Sequence, residues 1–260
     1  MGGAILAGLV GSGLAADGVA VTNRTVAKAD AVRMPGVDSY AIETHPEANA
    51  TALEGARVVI LGVKPALVPG LLDGVAEFLE PDAIVVSVAA GVTIATMEAI
   101  VPNAVARTMP NTPSLVRRGV TGLAAGSRIT PAQLAVVRAV FETVGAVIEL
   151  GEDRIDALST ISGSGPAYVF LLIEQLTGTA RRMGFAEADA RLMVEQTFLG
   201  AAELLAAGDV PPAELRRRVT SPNGTTERAI AVLADADLGG LFDRATAAAL
   251  ARARELAAGG

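Results

Sequence analysis

Two runs in the first half of the chain, ARVVILGV (Ala56–Val63) and AIVVSVAA (Ala83–Ala90), have the length of strands and are almost wholly apolar. A strand with one wet face alternates apolar and polar residues. A strand apolar throughout has both faces covered, as in the centre of a parallel sheet. Between the two runs, PALVPGLLDGVAEFL reads as a helix with Pro65 near its start, where the missing N–H has no intrahelical acceptor to lose. The same alternation extends outward. Ile5, Leu6, Leu9 and Val10 recur at helical spacing until Gly11 and Gly13 interrupt them. VAVT (Val19–Thr22) is a short β-branched run, TVAKADAVR is helical, and a weak strand is expected near Tyr40–Glu43. Downstream, AVARTMP, VTGLAAG and AVIEL supply three more strands. TPAQLAVVRAVFETVG opens on Thr130 as N-cap, with Pro131 at the first helical position and Gln133 closing a capping box. Strands alternating with helices predict a doubly wound, Rossmann-type α/β domain over residues 1–151.

From Asp153 onward the pattern is helical. PAYVFLLIEQLTGTARRMG stops at Gly184 and AEADARLMVEQTFLGAAELLAAG at Gly208. Shorter helices are expected over Pro212–Val219, Thr226–Ala234 and Leu238–Ala257, giving an all-α domain over residues 152–260. The two long helices carry apolar residues on more than one side, the mark of helices buried all round. So small a helical domain does not bury both by itself, and a second copy of the chain is the expected cover.

Composition removes several classes of function. Of 260 residues, 51% are hydrophobic, enough to fill two modest cores with aliphatic side chains, since aromatics are only 3%. With no cysteine there is no disulfide, thiolate nucleophile or thiolate-ligated metal, which fits a reducing, cytoplasmic setting. A net charge of −7 argues against nucleic acid or an anionic membrane as partner. The apolar stretch Ala4–Ala16 has no preceding Lys or Arg and is shorter than the roughly 20 residues a bilayer requires, so it reads as neither signal peptide nor span. His45 is the only histidine and sits in the polar stretch ETHPEAN, as a surface residue would. No ligand cluster for a metal is present, and no G-x-S-x-G elbow serves a hydrolytic triad.

The remaining signals lie in five loops. VTNRT follows the second strand position of a Rossmann unit, where NAD enzymes carry a carboxylate for the ribose 2′-hydroxyl. Here Asn23 and Arg24 stand there, and a guanidinium attracts a 2′-phosphate, so the pair points to NADP; a plain polar turn reads the same way. GVKP (Gly62–Pro65) and AAG (Ala89–Gly91) end apolar strands, where ligands of open α/β sheets lie, with Lys64 the one charge at that rim. RTMPNTP (Arg107–Pro113) is either a rigid polar ligand wall or an ordinary turn. ISGSGPAYVF (Ile161–Phe170) places small residues before a long helix that starts at Pro166, as a loop close to a ligand or as a tight helix–helix turn. VTSPNGTTERAIAVL (Val219–Leu233) runs Ser, Pro, Asn, Gly, Thr, Thr into a helix. Its free N–H groups suit a carboxylate and its Ser221, Thr225 and Thr226 hydroxyls can orient one; an ordinary capped helix has the same look.

In order, TNRT, GVKP, AAGVTI, RTMPNTP, ISGSGPAY and VTSPNGTT resemble the landmarks of pyrroline-5-carboxylate reductases, the enzymes of the last step of proline synthesis. The resemblance runs over nearly the whole chain. It implies an N-terminal Rossmann domain and a C-terminal helical domain interlocked with its twin in a homodimer, with dimers assembling into decamers in part of the family. It implies reduction of 1-pyrroline-5-carboxylate to L-proline by NADPH, or by NADH. The substrate is held by Glu152, Ser221, Gly224, Thr225 and Thr226, with the Thr226 hydroxyl as the catalytic group meeting the ring nitrogen. The cofactor contacts it implies are Gly2, Asn23, Arg24, Thr25, Asn49, Gly62, Val63, Lys64, Pro65, Val88, Ala89, Ala90, Met109 and Asn111. Hydride transfer of this kind needs no metal. Asn223 stands where the family has Gly, and Asn tolerates the left-handed backbone such a loop requires. The family opens on a strand and G-x-G-N-M-G-G. MGGAILAGLV matches only the back half, so the first strand and two glycines are missing, Gly2 is the third glycine, and a start about ten residues upstream is expected from a strand-plus-loop unit. Without that strand, its two neighbours in the sheet are expected to lack ladder partners on one edge. The alternatives are a truncated, inactive paralogue or dimerisation scaffold, or another Rossmann dehydrogenase with a helical second domain; the latter group uses a Lys or His there that this chain lacks.

Overall fold

The computed structural model describes residues 1–14 and 18–257. Ala15 and Ala16, the end of the apolar stretch Ala4–Ala16, lie outside the described residues. By contacts the chain forms two compact units: Met1–Gly163 with Ala249–Gly260, and Ser164–Ala248. The units divide at Gly163, whereas the sequence turns all-helical after residue 151.

The first unit runs α1 (Gly2–Ser12), β1 (Val19–Asn23), α2 (Val26–Asp30), β2 (Val37–Ala41), α3 (Ala48–Leu53) and β3 (Val58–Leu61). A 3-10 turn at Pro65–Leu67 leads into α4 (Val68–Val75), followed by β4 (Ile84–Ser87), α5 (Ile94–Glu98), β5 (Ala104–Met109), β6 (Gly119–Ala125), α6 (Pro131–Glu142), β7 (Gly145–Glu149) and α7 (Ile155–Leu158). The strand expected near Tyr40–Glu43 ends earlier, at Ala41, because the amides of Thr44 and His45 both turn back to the Ala41 carbonyl. The capping box on α6 forms as read: the Gln133 amide donates to the Thr130 hydroxyl while the Thr130 amide donates to the Gln133 side chain.

Five strands make one sheet in the order β3-β4-β5-β6-β7. β3, β4 and β5 are parallel; β6 runs antiparallel to β5, and β7 parallel to β6. The reversal follows from the link between β5 and β6, which holds only a 3-10 turn, Thr112–Val116. A parallel return takes roughly a dozen residues or more. β4 explains its own sequence: Val85 joins a core cluster with Leu53, Leu72, Met97, Val105 and Ile155, while Val86 faces the other way into a cluster with Ile5, Ala106, Val137 and Phe141. Both valines are fully buried, so every position of that strand is apolar or, at Ser87, hydrogen-bonded.

The other two strands stand apart. β1 and β2 pair in parallel as a separate two-stranded sheet, with Asn23 opposite Ala41. Among the described residues no ladder joins β1 to β3, so each has one edge without a ladder partner, as read from the sequence. α3 bridges the break: it packs on β1 and β2, and its Leu53 lies in the core under β3 and β4. Gly2 does not make the close helix–sheet contact of a third Rossmann glycine. A Cβ there would meet nothing within 4 Å among the described residues. The tight approach of α1 comes later, at Gly8, where a Cβ would lie 2.5 Å from the Thr143 hydroxyl and 2.6 Å from a Val144 methyl.

The second unit contains α8 (Gly165–Arg182), α9 (Glu187–Ala206), α10 (Pro212–Arg218), α11 (Thr225–Asp235) and most of α12 (Leu238–Ala257). α8 begins one residue before the expected Pro166. α8 and α9 pack on each other, and Ala180, Ala190 and Val194 are their buried residues. Many of their other apolar side chains are open in the single chain: Phe170 is 66% exposed, Leu199 56% and Leu204 67%. No described helix is long and apolar enough to cross a membrane.

Phe141 is the largest fully buried side chain. Phe141→Ala is expected to lower unfolding free energy by about 3–5 kcal/mol, read from urea denaturation.

Candidate functional site

In the parallel part of the sheet the carboxyl ends of β3, β4 and β5 lie side by side. Leu61 pairs with Ser87 and Ser87 with Arg107, and the Thr108 hydroxyl donates to the Ser87 carbonyl at 2.9 Å. The loops that leave these ends are GVKP, VAAG and MPN. Gly62 and Lys64 are exposed, Val63 packs on the core, and Pro65 starts the 3-10 turn. The Val88 amide donates to the Leu61 carbonyl and the Ala89 amide to the Ser87 hydroxyl. Ala89 is buried and Ala90 exposed, and Gly91 turns the chain with a left-handed φ of 76°. Small side chains and open backbone thus collect at one edge, the place where α/β sheets bind ligands.

Met109 and Asn111 leave β5 on the same side, but Asn111 is committed to the scaffold. Its side-chain amide donates to the Ser162 carbonyl at 2.8 Å and its oxygen accepts the Val120 amide at 2.8 Å. It fixes the segment Ser159–Gly163, a π-helical turn that carries the ISGSG motif. Such turns interrupt helices where geometry is under a functional demand. Met109 is half-buried beside it and packs on the core.

Glu152 is equally engaged. Its carboxylate accepts the Ile94 amide at 2.7 Å and the Arg107 guanidinium at 3.3 Å. Arg107, in the middle of β5 and only 4% exposed, also pairs with Asp156 at 2.7 Å. One buried cation therefore joins the loop after AAG, the strand before MPNTP and the helical segment that leads to ISGSG. Sequence reading gave Arg107 and Asp156 no role. The available signal was an arginine inside the apolar run AVARTM, since a charge in a central strand needs buried partners.

The sites of Asn23, Arg24 and Thr25 belong to the two-stranded sheet. Asn23 ends β1 and its carbonyl accepts the Ile42 amide. Arg24 is exposed, and its carbonyl accepts the Glu43 amide. Thr25 is the N-cap of α2, yet its side chain makes no cap; the Val26 amide is taken instead by the Glu43 carboxylate at 2.6 Å. Asn49 lies half-buried on α3, the helix that bridges the two sheets.

In the second unit, TSPNGTT forms a turn into α11. Asn223 adopts φ 60°, the left-handed conformation expected for the residue that stands in place of Gly. The Gly224 amide donates to the Ser221 carbonyl, and a Cβ on Gly224 would lie 2.4 Å from the Ser221 hydroxyl, so this position stays glycine. Gly224 is the N-cap of α11, and the Thr225 and Thr226 amides have no backbone acceptor among the described residues. These are the orphan donors of a helix start. Their hydroxyls likewise have no partner among the described residues, and Thr226 is half-buried where Thr225 is exposed. The neighbouring Asn223 amide is closed by the Glu227 carboxylate at 2.9 Å, a contact the sequence reading missed.

A family model described as pyrroline-5-carboxylate reductase dimerisation matches residues 152–256, and one described as NADP oxidoreductase coenzyme F420-dependent matches residues 1–91. The chain is 42% identical to a pyrroline-5-carboxylate reductase of Pseudomonas aeruginosa over 81% of its length and 78% of the relative's. It is 36% identical to that of Corynebacterium melassecola over 98% of its length and 95% of the relative's. The solved pyrroline-5-carboxylate reductase of Coxiella burnetii superposes with a TM-score of 0.90 at 37% identity, covering 97% of this chain and 93% of that one.

Arg107→Met leaves two partly buried carboxylates without their cation. The expected loss is about 2–3 kcal/mol, below the 3–5 typical of fully buried pairs, measured by denaturant unfolding. Arg107→Lys, which keeps the charge but not the two-partner fork, is expected to recover only part of it.

Proposed function

Because the chain belongs to the pyrroline-5-carboxylate reductase family, we propose that it reduces 1-pyrroline-5-carboxylate to L-proline, with a nicotinamide nucleotide as the hydride donor. The observation that carries the reading to particular residues is the start of α11. Two threonine hydroxyls and two backbone amides stand there without partners among the described residues, on a loop whose shape is fixed by Asn223 and Gly224. That donor set suits a small carboxylate.

The residues present fit a nicotinamide cofactor by their chemistry: small side chains and exposed backbone at the carboxyl ends of β3 and β4, an exposed guanidinium at Arg24, and an exposed ammonium at Lys64. When bound, such a cofactor supplies the hydride, and the protein supplies position and electrostatics. Asn23, Arg24 and Thr25 face the adenosine ribose, with Arg24 favouring a 2′-phosphate and hence NADPH, NADH being the second donor. Asn49, Gly62–Pro65, Val88–Ala90, Met109 and the backbone of Asn111 form the remaining cofactor contacts, with Gly2 at the start of α1. Ser221, Gly224, Thr225 and Thr226 hold the substrate carboxylate. The Thr226 hydroxyl hydrogen-bonds the ring nitrogen as it becomes an amine. Glu152 borders the ring through the position Arg107 imposes on it. The open apolar faces of α8 and α9 are covered by a second copy of the chain, in a homodimer that assembles further into a decamer, acting in the cytoplasm without membrane or nucleic acid.

Two experiments test this. Adding 1-pyrroline-5-carboxylate to protein and NADPH is expected to oxidise the nucleotide, and Thr226→Ala is expected to lower kcat about tenfold to a hundredfold with an unchanged circular dichroism spectrum. Unchanged kinetics remove Thr226 from the mechanism. Light scattering is expected to give a dimer or a multiple of it, and Leu199→Glu with Leu204→Glu to shift the mass toward the monomer.

A further inference from the structure

We infer that Glu43 is a specificity-determining residue for the cofactor: it places at the end of β1 the carboxylate that the sequence of that strand lacks, and it weights the protein toward NADH against the pull of Arg24. The inference rests on the cofactor reading above. Its observation is the geometry of the β1 and β2 exits. β2 stays in register with β1 to Ala41 opposite Asn23, and two further amides continue the pairing: Ile42 to the Asn23 carbonyl at 2.9 Å and Glu43 to the Arg24 carbonyl at 3.2 Å. The backbone of Glu43 is thereby held beside Arg24. Its side chain then folds over the turn and accepts the Val26 amide at 2.6 Å. Three hydrogen bonds fix one carboxylate beside the residues that would face the adenosine ribose.

The chemistry separates the two nucleotides. One carboxylate oxygen is engaged by the Val26 amide, and the other can accept a hydrogen bond from a ribose 2′-hydroxyl, as the acidic residue of NAD-binding folds does. A 2′-phosphate carries about −1.5 to −2 charges near neutrality and has little proton to donate. It also competes for the same amide. Arg24, exposed and without an ion-pair partner among the described residues, acts in the opposite sense. The site thus holds one group for each nucleotide, and the carboxylate arrives from the neighbouring strand rather than from the motif itself.

Glu43→Gln removes the charge and keeps an oxygen for the Val26 amide. Kd values for NADPH and NADH, from nucleotide fluorescence on the protein without substrate, together with kcat/KM for each, read the effect. The expected result is a fivefold to tenfold rise in the NADPH-to-NADH preference in both measurements, and a larger rise in Glu43→Lys. An unchanged ratio, or equal losses for both nucleotides, overturns the role of Glu43 as a discriminator and leaves it a cap for the turn. If the wild-type protein binds neither nucleotide, the cofactor reading and this inference fall together.

Discussion

A single guanidinium holds the first unit in the form that its ligand edge requires. Arg107 sits buried in a central strand, 4% exposed, and a bare charge there would be untenable. Its two carboxylate partners come from the segment that follows the last strand, so that segment has to lie against β5 for the strand to be buried at all. Glu152 passes the restraint on, through the Ile94 amide, to the loop after β4. Asn111 does the same work a few residues further along, tying the π-helical turn to β6. Positions that matter to a ligand are therefore set by polar contacts made beneath the surface rather than by the loops themselves.

The strands and the capped helix were legible because their causes are local. β4 reads as a run of apolar residues since its side chains enter two cores, and the Thr130–Gln133 box needs only neighbours in sequence. The left-handed Asn223 was legible for the same reason. What escaped were pairings between residues far apart along the chain. Arg107 meets its partners 45 and 49 positions away, and Glu43 meets Val26 across 17. No periodicity marks such pairs, and a carboxylate destined for a distant amide looks like any surface residue.

Two glutamates share one logic. Glu43 and Glu227 each reach a backbone amide at a turn into a helix, at 2.6 and 2.9 Å. Each stands beside donors suited to an anionic ligand. A side chain that satisfies such an amide stabilises the empty turn, and it also sets how strongly an incoming anion has to compete. Local stability and ligand affinity are coupled at both places, through carboxylates rather than through the motif residues.

The break between β1 and β3 has a consequence of a different kind. Each of these strands is an edge strand of its own sheet and, among the described residues, presents a row of amides and carbonyls without ladder partners along one side. Native proteins shield such rows with charges, prolines or bulges, but Val19, Val21, Val59 and Ile60 carry none of these. At high concentration the same rows invite strands of other chains.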